Sequence, residues 1–185
     1  MVLAGLRRLW RRFRRDRSGV AAIELAIISP ILLLIMVAMV DFGLVLYVRF
    51  NLNETVSASA NYAIIKADDV SASKGAALAA NLVEIMPANV NVTAVVNNGP
   101  TVTRTNGVSS PSGTASAADA CYCPTGTGAS VTWGGSMTCG AACSGGGMAG
   151  KFVTLNASVS HSPLFGNYGF VQNGQVTAFT IVQVK

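Results

Sequence analysis

Between Arg17 and Val48 the chain reads Arg-Ser-Gly-Val-Ala-Ala-Ile-Glu-Leu-Ala-Ile-Ile-Ser-Pro and then an almost unbroken apolar run. Leu25–Val48 is 24 residues. At ~1.5 Å per residue that is about 36 Å of helix, against a bilayer core about 30 Å thick. The run therefore predicts a tilted membrane span. A carboxylate, Glu24, stands at its head, five residues after Gly19. An ionisable group in lipid is costly and needs a partner, so its position alone makes Glu24 a functional candidate. Pro30 falls inside the span, where membrane helices tolerate it. Asp41 falls near the far end, where the cost is smaller. A secretory signal carries a shorter apolar core of roughly 7–15 residues before its cleavage site. The small residues Ser57-Ala58-Ser59-Ala60 lie well past this run.

The formal charge of +5 and the mean hydropathy of +0.48 are both misleading averages. Seven of the thirteen Lys/Arg and one of the eight acids precede Val20. The first nineteen residues therefore carry +6 and the remainder −1 by side chains. A basic arm can bind nucleic acid, but here it abuts an apolar helix, and Lys/Arg-rich flanks stay cytoplasmic. The arm reads as a topology signal, with the amino terminus inside, residues 50–185 outside the cytoplasm, and no nucleic-acid partner.

Three regions follow: a basic leader over 1–19, a membrane helix and stem over 20–66, and an extracytoplasmic domain over 67–185. The stem is indicated by Leu52, Val56, Ala60, Ala63 and Ile64, which recur at helical spacing, while Asn51, Asn53, Glu54, Ser57 and Asn61 fill much of the other face. Leu52, Val56 and Ala60 are its packing residues. A second helix is expected from about Ser71 to Met86, with Asp68 and Asp69 at its start and Pro87 as its stop. The period then changes. Val90, Val92, Ala94 and Val96 alternate with polar residues, as do Val153, Leu155, Ala157 and Val159. Gln175–Val184 is apolar on both faces, as a central strand would be. Residues 107–150 hold eleven of the nineteen glycines and all four cysteines, and read as a loop region with short strands at Ala120–Cys123 and Ser130–Trp133. His161–Gly174 reads as a hairpin connection. The fold class is α+β: a long N-terminal transmembrane helix continuing as a stem, then a small antiparallel-sheet domain of three or four strands with a Cys-rich loop region.

The cysteines run Cys121-x-Cys123 and Cys139-x3-Cys143. Outside the cytoplasm this pattern predicts two disulfides. Cys121 and Cys123 would share one face of a strand, so each is expected to bond one of Cys139 and Cys143. The alternative is a zinc site with four cysteine ligands; Cys-x2-Cys is the commoner zinc spacing, so no metal is assigned. His161, the only histidine, has no Ser/Asp or Cys pattern around it. Glycines 145–147 are not followed by a Lys-Ser/Thr phosphate loop. No catalytic constellation is evident, and neither an enzyme nor a cofactor is expected.

The run from Gly19 to Ala67 resembles the N-terminal signature of TadE-like proteins, minor pilins or pseudopilins of the Tad (tight adherence) pilus. The residues that carry the resemblance are Arg17-Ser18-Gly19, Val20-Ala21-Ala22-Ile23-Glu24, Pro30 before the aliphatic run, Asp41-Phe42-Gly43, Tyr47, and the Ala/Asn-rich helix to Tyr62-Ala63. Downstream, Cys121-Tyr122-Cys123, the later cysteine pair and Ser162-Pro163-Leu164-Phe165 also fit. Leu25 departs from the pattern, since this group usually carries an aromatic after the glutamate.

The resemblance implies cleavage after Gly19 by a prepilin peptidase, so that the mature chain starts at Val20. It implies that Glu24 pairs with the α-amine of a neighbouring subunit. The partners so implied are the peptidase, other pilins and minor pilins, the inner-membrane assembly platform and the lipid bilayer. The location is the bacterial inner membrane, single-pass, with the C-terminal domain periplasmic or extracellular and the subunit incorporated in the pilus or retained at its base. A Glu placed favourably near a helix N-terminus is the plainer reading of Glu24. An uncleaved membrane-anchored binding module, stapled by disulfides or zinc, is the alternative function.

Overall fold

A computed structural model describes residues 18–126, 130–166 and 168–185. The first helix, α1, runs unbroken over Ser18–Ile65 with Pro30 inside it. The chain divides into two compact units between Phe42 and Gly43. In the first, the aliphatic residues of α1 from Val20 onward are almost all exposed. In the second, α1 has a buried stripe of Val45, Leu52, Val56, Ser59, Ala60 and Ala63, while Asn51, Asn53, Glu54, Ser57 and Asn61 face out. Ile64 is exposed despite its helical spacing. Ala63 lies two turns from Val56 and takes the inward position, which leaves Ile64 off the stripe.

A short 3₁₀ turn, Ala67–Asp69, follows, and then α2, Gly75–Glu84. The second helix is thus shorter than its apolar pattern, and Asp68 and Asp69 do not cap it. Residues 71–74 form the lead-in turn instead, held where Asp119 Oδ1 accepts from the Ala72 amide at 3.0 Å and Ser71 Oγ accepts from the Lys74 amide at 3.4 Å. Gly75 suits a close approach: a Cβ there would stand 3.1 Å from Pro100 Cγ, tighter than an ordinary contact. The buried residues of α2 are Gly75, Leu78, Ala79, Leu82 and Val83. Ser59 Oγ of α1 donates to the Leu82 carbonyl at 3.1 Å, tying the stem to α2.

The sheet is antiparallel and six-stranded, ordered β3-β2-β1-β4-β6-β5. Its strands are β1 Asn91–Val96, β2 Thr101–Thr105, β3 Val108–Ser112, β4 Phe152–Ser160, β5 Val171–Gln172 and β6 Gln175–Gln183. Val92, Ala94, Val96, Val153, Leu155, Ala157, Val176 and Ala178 point inward and join the helices in one core. The expected three or four strands become six because β2 and β3 lack an alternating apolar face. In β2 the inward positions are Val102 and Arg104, and β3 is exposed throughout and holds Pro111, as an edge strand permits. The turn between them is Asn106-Gly107, with φ 51° and 80°, the two-residue hairpin chemistry that right-twisted strands favour. Asn173-Gly174 repeats it between β5 and β6, with φ 52° and 70°.

β6 is not a central strand along its length. Among the described residues its only outer neighbour is the two-residue β5, and beyond Ala178 its residues are half-buried or exposed. Its apolar character on both faces reflects a partly uncovered edge. The expected short strands at 120–123 and 130–133 exist only as isolated bridges, Cys121↔Met137, Tyr122↔Gly150 and Thr125↔Thr132. Too few consecutive backbone groups pair there to form a ladder.

Candidate processing and assembly segment

Helical geometry places Gly19, Val20 and Glu24 on the first turns of α1. Gly19 is exposed, and a Cβ built on it meets nothing within 4 Å. Packing among the described residues therefore does not demand a glycine here. Glu24 is exposed at the head of the apolar run, as are Val20, Ile23 and Leu25. The arginine cluster expected to flank this segment lies outside the described residues. From Ala22 to Ile65, α1 is the one helix among the described residues long and apolar enough to cross a membrane.

Leu52, Val56 and Ala60 are buried inside the protein's own second unit, against the α2 and sheet core. They hold the stem to the domain. The face left to the surroundings carries Asn51, Asn53, Glu54, Ser57 and Asn61.

Beyond the sheet lies the Cys-rich layer. Cys121 is bonded to Cys139 and Cys123 to Cys143, with Cα–Cα distances of 5.1 and 5.7 Å. All four sulfurs are consumed, so the four-thiolate zinc alternative has no free ligand here. Asn97 fixes the layer's entry. It is fully buried with φ 51°. Its Nδ2 donates to the carbonyls of Ala118 at 3.0 Å and Ala120 at 2.6 Å, while its Oδ1 accepts from the Phe152 amide at 3.2 Å. Tyr122 is buried against Trp133, edge to face at 5.9 Å.

Three polar anchors were not foreseen from the sequence. Asn97 is one, and the Asn-Asn-Gly-Pro turn after an apolar strand was the available signal. Arg104 is the second. It is only 6% exposed, and its Nη2 donates to the carbonyls of Met86 at 2.9 Å and Pro87 at 2.6 Å. The third is Lys151, whose Nζ donates to the Val70 carbonyl at 2.7 Å, joining the start of the sheet's second half to the turn after the stem. At the surface, Lys185 Nζ lies 2.8 Å from Asp68 Oδ1, and this hydrogen bond and the charge behind it hold the Asp68 carboxyl below its ordinary value. The outer sheet face carries a shallow groove lined by Thr93, Thr103, Asn156, Ser158, Thr177 and Phe179, a hydroxyl- and amide-rich surface.

An apolar helix long enough for one membrane pass, a stem and a disulfide-closed α+β domain fit a membrane-anchored protein. Residues 19–61 match the family model described as TadE-like protein, and over that segment the chain is similar to TadE-like proteins, which are associated with Tad pilus systems. No curated protein matches the chain, and no solved structure does.

Proposed function

We propose that this chain is a minor pilin or pseudopilin, inserted in the bacterial inner membrane, processed after Gly19, and used to assemble or prime a Tad-type pilus for adhesion. Its role is structural rather than catalytic. The observation that carries the reading is the Gly19/Glu24 pair, exposed at the head of a long apolar helix. Cleavage at Gly19 would create an α-amine on Val20, a cation in or near lipid, with Glu24 as the matching anion one turn along. A charge at the centre of a membrane helix costs about 2.5–3.5 kcal/mol, less near its end. Pairing the amine of one subunit with the glutamate of the next offsets both penalties and sets the axial register. The open first turns of α1 suit entry into a peptidase, since a Cβ built on Gly19 meets nothing within 4 Å among the described residues. The partners in this reading are the prepilin peptidase, other pilins and minor pilins, the assembly platform and the bilayer.

The test is the mass and N-terminal sequence of the protein from membranes with and without the peptidase. A chain starting at Val20 only when the peptidase is present supports the proposal. Gly19→Ala should block processing while leaving the fold intact, and Glu24→Ala should permit processing but impair assembly. If neither variant alters processing or assembly, the pilin reading fails. A second reading is an uncleaved anchored binding module. The disulfide-closed layer and the polar groove on the sheet favour it, and a mature protein that still starts at Met1 would select it.

A further inference from the structure

The domain's packing extends into the apolar span itself. Val45 is 0% exposed and belongs to the core, yet it lies within the apolar run that ends at Val48. If α1 spans a bilayer, as proposed above, the last turns of the span already have one face, at Val45, packed into the domain. The domain edge around them must then meet the lipid surface.

The β4–β6 connection, His161–Gly174, sits at this level. Phe170 places its ring 4.8 Å from the Arg49 guanidinium carbon, one residue past the end of the run. On α1 the residues flanking Arg49 are Tyr47, 64% exposed, and Phe50, 67% exposed. Aromatic rings with a cation at the exit of an apolar helix match the composition of a membrane–water interface. The connection also presents two adjacent large apolar side chains, Leu164 at 76% and Phe165 at 50% exposed. It contains no Asp, Glu, Lys or Arg, so bringing it to the headgroup region strips water from no charged side chain.

We infer that Leu164 and Phe165 form a second membrane contact, entering the interfacial layer of the bilayer that α1 crosses. The occupant of this surface is lipid, because Phe170 holds the connection against Arg49, one residue past the end of the apolar run. Two apolar side chains at the acyl boundary add to the helix anchor as amphipathic interfacial segments do. The contact would restrain the domain's tilt on its stem, which the single helix alone leaves open.

The test uses the full-length oxidised protein in vesicles of phosphatidylethanolamine and phosphatidylglycerol. Single variants Leu164→Cys, Phe165→Cys, Leu33→Cys and Val108→Cys each carry an environment-sensitive fluorophore. Lipids with a nitroxide near the headgroup, and water-borne iodide, serve as quenchers. The inference expects positions 164 and 165 to lose emission to the lipid nitroxide and to resist iodide, while position 108 on the edge strand does the reverse. Lipid quenching at 33 but solvent-like behaviour at 164 and 165 would overturn it while leaving the span intact. Protection at 164 and 165 from both quenchers would also overturn it, since a protein surface would then be the occupant. Absence of lipid quenching at 33 would remove the span, and the inference with it.

Discussion

Arg104→Met is expected to destabilise the domain by about 2–3 kcal/mol, the balance of two opposed effects. The side chain reaches from β2 to the end of α2. Its Nη2 donates to the carbonyls of Met86 at 2.9 Å and Pro87 at 2.6 Å, and its Nε to that of Val90 at 3.3 Å. A hydrogen bond from a charged donor contributes about 1.5–3 kcal/mol. The Nε bond is long and two bonds share one nitrogen, so two bond-equivalents, about 3–6 kcal/mol, are at stake. Against this, removing a buried guanidinium relieves a desolvation penalty of order several kcal/mol. The loss prevails because the carbonyls left behind lie in the turn between α2 and β1, where Met86 and Val90 are themselves buried and a buried carbonyl that loses its donor is costly. Urea unfolding of the full chain in detergent, followed by near-ultraviolet circular dichroism, measures the effect. With a slope of about 2 kcal/mol per molar, the midpoint should fall by about 1–1.5 M. Hydrogen exchange at residues 85–90 should accelerate more than exchange in β4. Arg104→Lys, which restores the charge without the fork, should fall between. A midpoint that is unchanged or raised for Arg104→Met would refute the reasoning, because desolvation would then outweigh the bonds.

Two further outcomes follow from the same structure. The disulfides interleave, with separations of 18 and 20 residues. Alone, either closes a loop worth about 3 kcal/mol, but the second closes a shorter cycle through the first and adds only about 2 kcal/mol. Replacing one pair (Cys121→Ser with Cys139→Ser) should thus cost about 2 kcal/mol, and replacing all four about 5 kcal/mol, on this entropy estimate. Equal losses for the single-pair and four-fold variants in thermal melts would contradict the coupling. Asp68 gives a pH signature. Its carboxyl titrates below the ordinary 3.8 because Lys185 donates a hydrogen bond to it and adds its charge. A depressed acid contributes stability that is present above its unfolded value and lost as pH falls through its folded one. The contribution is small because Asp68 is fully exposed and solvent screens the pair. In carbon-detected titration Lys185→Gln should move the Asp68 midpoint up, and no movement would discard the pairing.

The sequence by itself determined the elements whose signal is local. The apolar run from Leu25 sets α1, because a lone apolar segment can satisfy its own backbone groups only as a helix. The alternation Val153-Leu155-Ala157 sets β4, because a strand with one buried face must repeat every two residues. The cysteine spacing narrowed the pairing, and the structure chose Cys121 with Cys139 and Cys123 with Cys143. Gly19 and Glu24 were legible as candidates by spacing alone, and their exposure leaves that reading to chemistry rather than packing.

What only the tertiary structure decided depends on partners distant in sequence. β2 was hidden because its second inward residue is Arg104, whose charge is acceptable there only because the carbonyls of Met86, Pro87 and Val90 surround it. β3 was hidden because an edge strand needs no apolar face, though Asn106-Gly107 was a turn signal within reach. α2 stops short of its apolar pattern because Met86 is used in the turn that Arg104 holds. The depth of the stem contact, up to Val45, is set by which side chains the sheet and α2 bring against α1. Periodicity is written into neighbouring residues, whereas the satisfaction of a buried charge or carbonyl is settled only when distant segments meet.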